Sequence, residues 1–181
     1  MKIVKLFGLF LLINLSWPFL GSSQEMKDIS FLERSWSIEN YEFSEEKGWS
    51  NIGTSNSVIQ SKHDGRFLAE TAKYLTSYGE INMITHIGFD SRSKSYKLSA
   101  MDKEYGLMDI YVGGWSSGDL VFSNLEADLP IVMEDGRELS FRLTYSSIKK
   151  NSFVHLVEGT FDGGKTWFPF SKGIYSRTTN D

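Results

Sequence analysis

Residues 114–118, Gly-Trp-Ser-Ser-Gly, match the G-x-S-x-G pattern in which many hydrolases hold a nucleophilic serine. In those enzymes the serine stands on a sharp turn between a strand and a helix. Here the next residues, Leu120-Val121-Phe122, have the apolar and β-branched character of a strand. The pattern therefore indicates a hairpin turn and not a serine nucleophile.

Three histidines, His63, His86 and His155, are the remaining residues that could ligate a transition metal, since the chain has no cysteine. No two of them stand at the spacing of a local metal motif. His63 falls in a predicted turn, while His86 and His155 fall on predicted strands. If both pointed inward, they could meet across a barrel and bind a metal or haem iron. Histidines at half-buried positions are usually ordinary packing residues, so we predict no metal and no cofactor.

Three carboxylates, Glu70, Asp109 and Glu158, lie within predicted strands, where most acidic side chains face water. Glu70 or Asp109 could instead be a buried polar group in a pocket, positioned for acid–base chemistry. A buried carboxylate is costly unless it is paired. We therefore expect Arg142 or Arg177 as the partner of a buried one.

Aromatic residues make up 14% of the chain, and they pack the faces of strands well. Filling of a core is one explanation for them. The other is a ligand pocket in which inward aromatic rings are joined by Asp109 and Arg142 as polar groups, since ligand sites are mostly apolar with a few polar groups. The aromatic residues predicted to line such a pocket are Tyr111, Trp115, Phe122, Phe141 and Tyr145.

The N-terminus has the three-part order of a secretory signal peptide, which we predict to be residues 1–23. Two lysines precede an apolar run at residues 6–15, and small residues follow at 21–23. Export to the periplasm or beyond is therefore predicted, with an N-terminal anchor that stays attached as the alternative. The apolar run is too short to predict a stable membrane span in the mature chain.

The net charge is −4, and it becomes −6 when Lys2 and Lys5 leave with the signal peptide. An acidic chain without a basic cluster is a poor partner for nucleic acid. With no cysteine, the mature domain has no disulfide and depends on its core. About 155 residues are enough for one such domain, which we predict to be a monomer or a weak oligomer.

Turn signals recur about every ten residues between positions 37 and 177, and alternating apolar and polar residues separate them. Asp64-Gly65 suits a type I′ hairpin turn, and Asp162-Gly163-Gly164 marks a second turn between two apolar runs. The pattern predicts nine or ten short strands. A short helix is possible at residues 24–36, and residues 178–181 are predicted to fray. Closing the sheet removes its edges, so we predict an up-and-down antiparallel β-barrel, with a two-sheet sandwich as the alternative.

Several motifs along the domain occur together in one family: Asp-Gly-Arg-Phe-Leu at 64–68, Gly-Phe-Asp at 88–90, Gly-Gly at 113–114, Asp-Gly-Gly-Lys-Thr-Trp at 162–167 and Tyr-Ser-Arg at 175–177. With them the chain resembles uncharacterised bacterial proteins that have a lipocalin-like, calycin-type β-barrel. It departs from their pattern at Arg34, where they have glycine. The resemblance implies the barrel and no agreed activity. Related calycins bind small hydrophobic molecules, and the nitrobindin branch binds haem through a histidine that no residue here matches by motif.

The sequence thus favours an exported barrel that holds an apolar or amphipathic small molecule and performs no chemistry. The alternatives are an isomerase or lyase with one inward carboxylate and a structural envelope module with a filled core. An internal cavity of about 300 Å³ or more would favour ligand binding, and a packed interior would favour the structural module.

Overall fold

The computed structural model of the protein describes residues 22–178. The predicted signal peptide lies outside the described residues apart from its last two, as does all but the first residue of the predicted frayed tail. Two short helical segments precede the strands: α1 (Ser22–Asp28) and a 3₁₀ turn (Ser30–Leu32). Eleven strands follow among these residues: β1 (Arg34–Ser44), β2 (Gly48–Lys62), β3 (Phe67–Thr76), β4 (Gly79–Asp90), β5 (Ser95–Asp102), β6 (Met108–Ser116), β7 (Asp119–Ser123), β8 (Ile131–Val132), β9 (Glu138–Lys149), β10 (Ser152–Thr160) and β11 (Phe168–Arg177).

The sheet closes on itself, which confirms the predicted antiparallel barrel and removes the sandwich alternative. Strands β1 to β7 pair in sequence order, β7 pairs with β9, and β9 continues through β10 to β11. The last strand then pairs with the first, with Trp36 opposite Arg177 and Ile38 opposite Tyr175. Ten strands form the closed ring, and the two-residue β8 adds to the edge of β9.

The two turns singled out by their glycines join the strands as expected, although each is wider than a two-residue turn. In the β2–β3 turn, Asp64 and Gly65 have positive φ and the N–H of Arg66 donates to the carbonyl of His63 over 3.2 Å. His63 also has positive φ. This loop has four residues, because β2 ends at Lys62 and β3 begins at Phe67. The serine-glycine segment at 114–118 is the hairpin turn between β6 and β7, with no helix after it.

The loop between β10 and β11 is held by the side chains of its Asp-Gly-Gly-x-Thr sequence. Asp162 Oδ1 accepts hydrogen bonds from Thr166 N (2.9 Å) and Thr160 Oγ1 (2.8 Å), and Thr166 Oγ1 donates to Oδ2 (2.6 Å). These bonds, those of Thr166 first, lower the pKa of Asp162 to about 2. Gly163 and Gly164 both have positive φ, which glycine adopts without steric cost. Asp162 is therefore ionised at neutral pH, where its carboxylate can accept all of these bonds.

One end of the barrel is filled by the N-terminal segment. Met26, Ile29 and Leu32 are buried there against the strands. Trp36 is 1% exposed; its Nε1 donates to the carbonyl of Leu32 over 2.8 Å, and its ring meets that of Phe153 edge-on at 4.9 Å. This end is a packed core, so any internal space lies toward the other end. Among residues 22–178, no helix has the length and apolar character needed to cross a bilayer.

Candidate functional site

A cavity of about 230 Å³ opens at the barrel end away from α1. Much of its wall is apolar, with side chains from β4, β5, β9 and β10: Ile81, Met83, Leu98, Ala100, Leu143 and Val157. The volume is below the roughly 300 Å³ typical of sites for drug-sized ligands. It exceeds the roughly 150 Å³ of an engineered protein cavity that binds benzene. The interior is therefore neither fully packed nor large, and it has room for a guest of about ten non-hydrogen atoms by that scale.

The floor of the cavity carries a buried carboxyl group, Glu70 on β3, which is 6% exposed. Ser57 Oγ donates to Glu70 Oε1, and Tyr175 OH donates to the same oxygen over 3.2 Å. The hydroxyls of Tyr175 and Tyr74 are 2.6 Å apart. The second oxygen, Glu70 Oε2, accepts no hydrogen bond from the part of the chain that the structure describes. One acceptor at the floor is thus left for a guest.

Burial governs the ionisation of this cluster. It raises the pKa of Glu70, an effect that the hydrogen bonds from Ser57 and Tyr175 oppose. Burial, together with the Glu70 charge, holds the pKa of Tyr74, Tyr145 and Tyr175 well above the usual value. These phenols stay neutral near neutral pH, so each can donate or accept a hydrogen bond.

His155 on β10 also borders the cavity. Its ring stacks on Tyr145 with centroids 4.5 Å apart and an interplanar angle of 15°. Burial lowers the pKa of His155 to about 4, so the imidazole is neutral at pH 7. Its Nε2 is enclosed and has no hydrogen-bond partner within residues 22–178. His86 is exposed, so the two strand histidines do not converge, and no cluster of metal-ligating side chains occurs within the described range.

Acidic residues stand at the rim. Asp109 on β6 is half-buried, and the hydroxyl of Tyr111 donates to its Oδ2 over 3.3 Å. Burial, followed by the charges of Asp128 and Asp102, raises the pKa of Asp109. Negative charges therefore lie close enough to one another at the mouth to interact.

Four of the predicted pocket residues, Tyr111, Phe141, Tyr145 and Asp109, border this cavity. Phe122 is fully buried and does not border the cavity, although Leu143 opposite it in the sheet does. Trp115 is 43% exposed and lies beside Phe31, with the ring centroids 6.2 Å apart. Phe122 and Trp115 therefore do not join the other predicted aromatic residues at the cavity.

Arg142 lies apart from both inward carboxylates, contrary to the expected pairing. Its Nη2 contacts Glu158 Oε2 at 2.8 Å, and its guanidinium lies 4.5 Å from the ring centroid of Trp167. Arg142 alternates with the inward Phe141 and Leu143, which places it on the outer face of β9. Glu70 is instead satisfied by hydroxyl groups, at Oε1 only.

The fold and the site together define a closed antiparallel barrel with a small, polar-floored internal cavity. The sequence matches no known family model, and no curated protein matches it significantly. The function must therefore be argued from the cavity itself.

Proposed function

We propose that this protein binds a small apolar or amphipathic molecule in the barrel cavity and performs no chemistry on it. The observation that carries the proposal is the 230 Å³ cavity with apolar walls and the unpartnered Glu70 Oε2 at its floor. An apolar wall favours the body of a guest by excluding water, and a few polar groups fix its orientation. A guest of about ten non-hydrogen atoms reaches dissociation constants from roughly millimolar to micromolar.

Two polar atoms, His155 Nε2 and Glu70 Oε2, weigh against a purely structural module with a filled core. Buried polar atoms are nearly always hydrogen-bonded, because leaving one unpaired costs about 1–3 kcal/mol. His155 Nε2 is such a buried atom without a partner within residues 22–178, and it lies at the cavity. Glu70, also at the cavity, leaves Oε2 without a protein partner in the same range. Ionisable groups whose pKa is shifted by burial cluster at functional sites, and Glu70 and His155 are two such groups at the cavity.

Filling the cavity should abolish binding. Ala100 on β5 borders the cavity, so Ala100→Phe places a ring where the guest would lie. We expect the affinity for 2-phenylethanol, an uncharged probe of suitable size, to fall at least tenfold in isothermal titration. The matched control is Ser99→Phe, which adds the same ring to the residue that precedes Ala100 on β5. Ser99 lies on the other face of the strand, so this variant should leave the affinity within about twofold.

Equal affinity in Ala100→Phe and the unmodified protein would contradict the proposal. So would a failure of the unmodified protein to bind 2-phenylethanol at millimolar concentration, if native mass spectrometry after mild purification also shows no retained molecule.

An isomerase or lyase is the second candidate, and Glu70 favours it. A buried carboxyl group with a raised pKa and a free oxygen in a cavity has the properties of a general base. Such an enzyme would exchange the α-protons of a small ketone with deuterated water. We expect exchange with phenylacetone, followed by NMR, to stay at the uncatalysed rate if the protein only binds. Faster exchange that disappears in Glu70→Gln would favour the enzyme.

Export and family membership belong to the same proposal. The lysines, apolar run and small residues of 1–23 support a cleaved signal peptide and a periplasmic or extracellular location. Kinship with lipocalin-like barrel proteins is supported by the shared motifs, which fall at the β2–β3 turn, on β6 and in the β10–β11 loop. A monomer or weak oligomer remains the expected state.

A further inference from the structure

Negatively charged side chains outnumber positively charged ones around the cavity. Among the described residues that border it, four are carboxylates and one is an ammonium, and the single histidine there is neutral at pH 7. The carboxylates are Glu42, Glu70, Asp102 and Asp109, and the ammonium belongs to Lys172.

The ammonium of Lys172 is held by aromatic rings and not by the cavity carboxylates. Its Nζ lies 4.2 Å from the ring centroid of Trp49 and 5.1 Å from that of Tyr41. Tyr41 borders the cavity, but its hydroxyl donates to the exposed Glu39 over 2.9 Å, so this cation–π contact lies toward the outer side of β1. The positive charge is therefore directed away from the floor.

Two rim carboxylates are already engaged in holding turns. Glu42 Oε1 accepts the backbone N–H of Ser77 over 2.9 Å, and Asp102 accepts those of Tyr105 and Leu107. They contribute negative potential, but their oxygens already accept hydrogen bonds from turns. Glu70 Oε2 accepts no hydrogen bond from residues 22–178, which makes it the available acceptor at the floor.

We infer that the natural ligand carries a protonated amino group on an aliphatic or aromatic body of about ten non-hydrogen atoms, with the ammonium bound to Glu70 Oε2. This inference depends on the proposed binding function and names its ligand class. An ammonium has three N–H donors. Glu70 Oε2 and the hydroxyl of Tyr145, which makes no hydrogen bond within residues 22–178, can accept two of them. The remaining donor can face the aromatic rings of the floor or a water molecule.

A ligand with a carboxylate is disfavoured by the same charges. It would bring a second negative charge beside Glu70 in an enclosed site, where like charges repel more strongly than in water. An ammonium has the opposite effect: burial raises the pKa of Glu70, and a cation in contact restores the charged carboxylate.

The test compares three probes with the same phenyl body and different head groups: 2-phenylethylamine, 2-phenylethanol and phenylacetate. Titration calorimetry on the full chain at pH 7 should give the amine at least tenfold higher affinity than the alcohol. Phenylacetate should bind at least tenfold more weakly than the alcohol.

Glu70→Gln removes the charge and keeps an oxygen that can accept from Ser57 and Tyr175. We expect the amine to fall to the affinity of the alcohol in this variant, while the alcohol changes by no more than about threefold. The matched control is Glu80→Gln, an exposed carboxylate of β4 that does not border the cavity and pairs with Lys73. It should keep the preference for the amine.

An amine that binds no better than the alcohol, or a phenylacetate that binds best, overturns this inference and leaves the binding function in place. Failure of all three probes at millimolar concentration, together with no retained molecule in native mass spectrometry, overturns both. The ranking in the unmodified protein decides the matter even if Glu70→Gln fails to fold, which circular dichroism and the unfolding midpoint will report.

Discussion

Gly113→Ala should lower the free energy of unfolding by about 3 kcal/mol or more, one of the two largest effects we predict. A Cβ on Gly113 would lie 1.9 Å from the carbonyl oxygen of Val121 and 2.7 Å from the Cα of Phe122. Both are backbone atoms of β7, and Gly113 is paired with Phe122 in the sheet. The clash cannot be relieved by a side-chain rotation. Overpacking in a core typically costs about 1–3 kcal/mol, so a clash with a paired backbone belongs at the upper end or beyond.

The adjacent glycine supplies the control. A Cβ on Gly114 would meet nothing within 4 Å, because this residue points to the other face of β6. Gly114→Ala should therefore change stability by no more than about 0.5 kcal/mol. Urea unfolding of both variants, followed by tryptophan fluorescence, measures the difference. Equal stability of the two variants would show that β6 and β7 do not approach as closely as the structure has them.

The strands of the barrel were predictable because each is bounded by glycine, aspartate or serine and alternates between its turns. The ring closure was inferred only from the need to cover sheet edges. The pairing that closes it, β1 with β11, joins the two ends of the barrel sequence and depends on the packing of the whole chain. The two-residue β8 is too short for any alternation, so the sequence around it gives no strand signal.

Alternation predicts which side chains share a face, but it does not show which of them border a cavity. Tyr111 and Phe122 are both buried, yet only Tyr111 borders the cavity. For Arg142 alternation gives the right answer, because its position between the inward Phe141 and Leu143 indicates the outer face of β9. Charge complementarity alone suggested that it would meet a buried carboxylate.

The partners of Glu70 could not be predicted from its own strand. Ser57 comes from β2 and Tyr175 from β11, which is more than 100 residues away in sequence. Hydroxyl groups at unrelated positions give no sequence signal that they converge on one carboxyl oxygen. The resulting cluster, and with it the floor of the cavity, becomes visible only when the ring is closed.

His155→Phe should make the protein resist acid better, by up to about 3 kcal/mol at pH 4 relative to the unmodified chain. Burial lowers the pKa of His155 from 6.5 to about 4 in the folded state. Unfolding therefore takes up a proton below pH 6.5, and the stability contributed by the neutral imidazole is lost as the pH falls from 6.5 toward 4. Each pKa unit corresponds to about 1.4 kcal/mol. Phenylalanine keeps an aromatic ring against Tyr145 and cannot take up that proton.

Urea unfolding at pH 7 and pH 4 measures this effect as the difference between variants. Glu70 acts in the opposite direction: because burial raises its pKa, the free energy of unfolding increases as the pH falls toward the ordinary value of 4.5. This contribution is present in both proteins and cancels. His86→Gln, which removes an exposed imidazole, should follow the unmodified protein at both pH values. The same acid loss in His155→Phe as in the unmodified chain would mean that His155 is not enclosed. A second possible cation would then stand beside the cavity, and the preference for an ammonium ligand would lose part of its electrostatic basis.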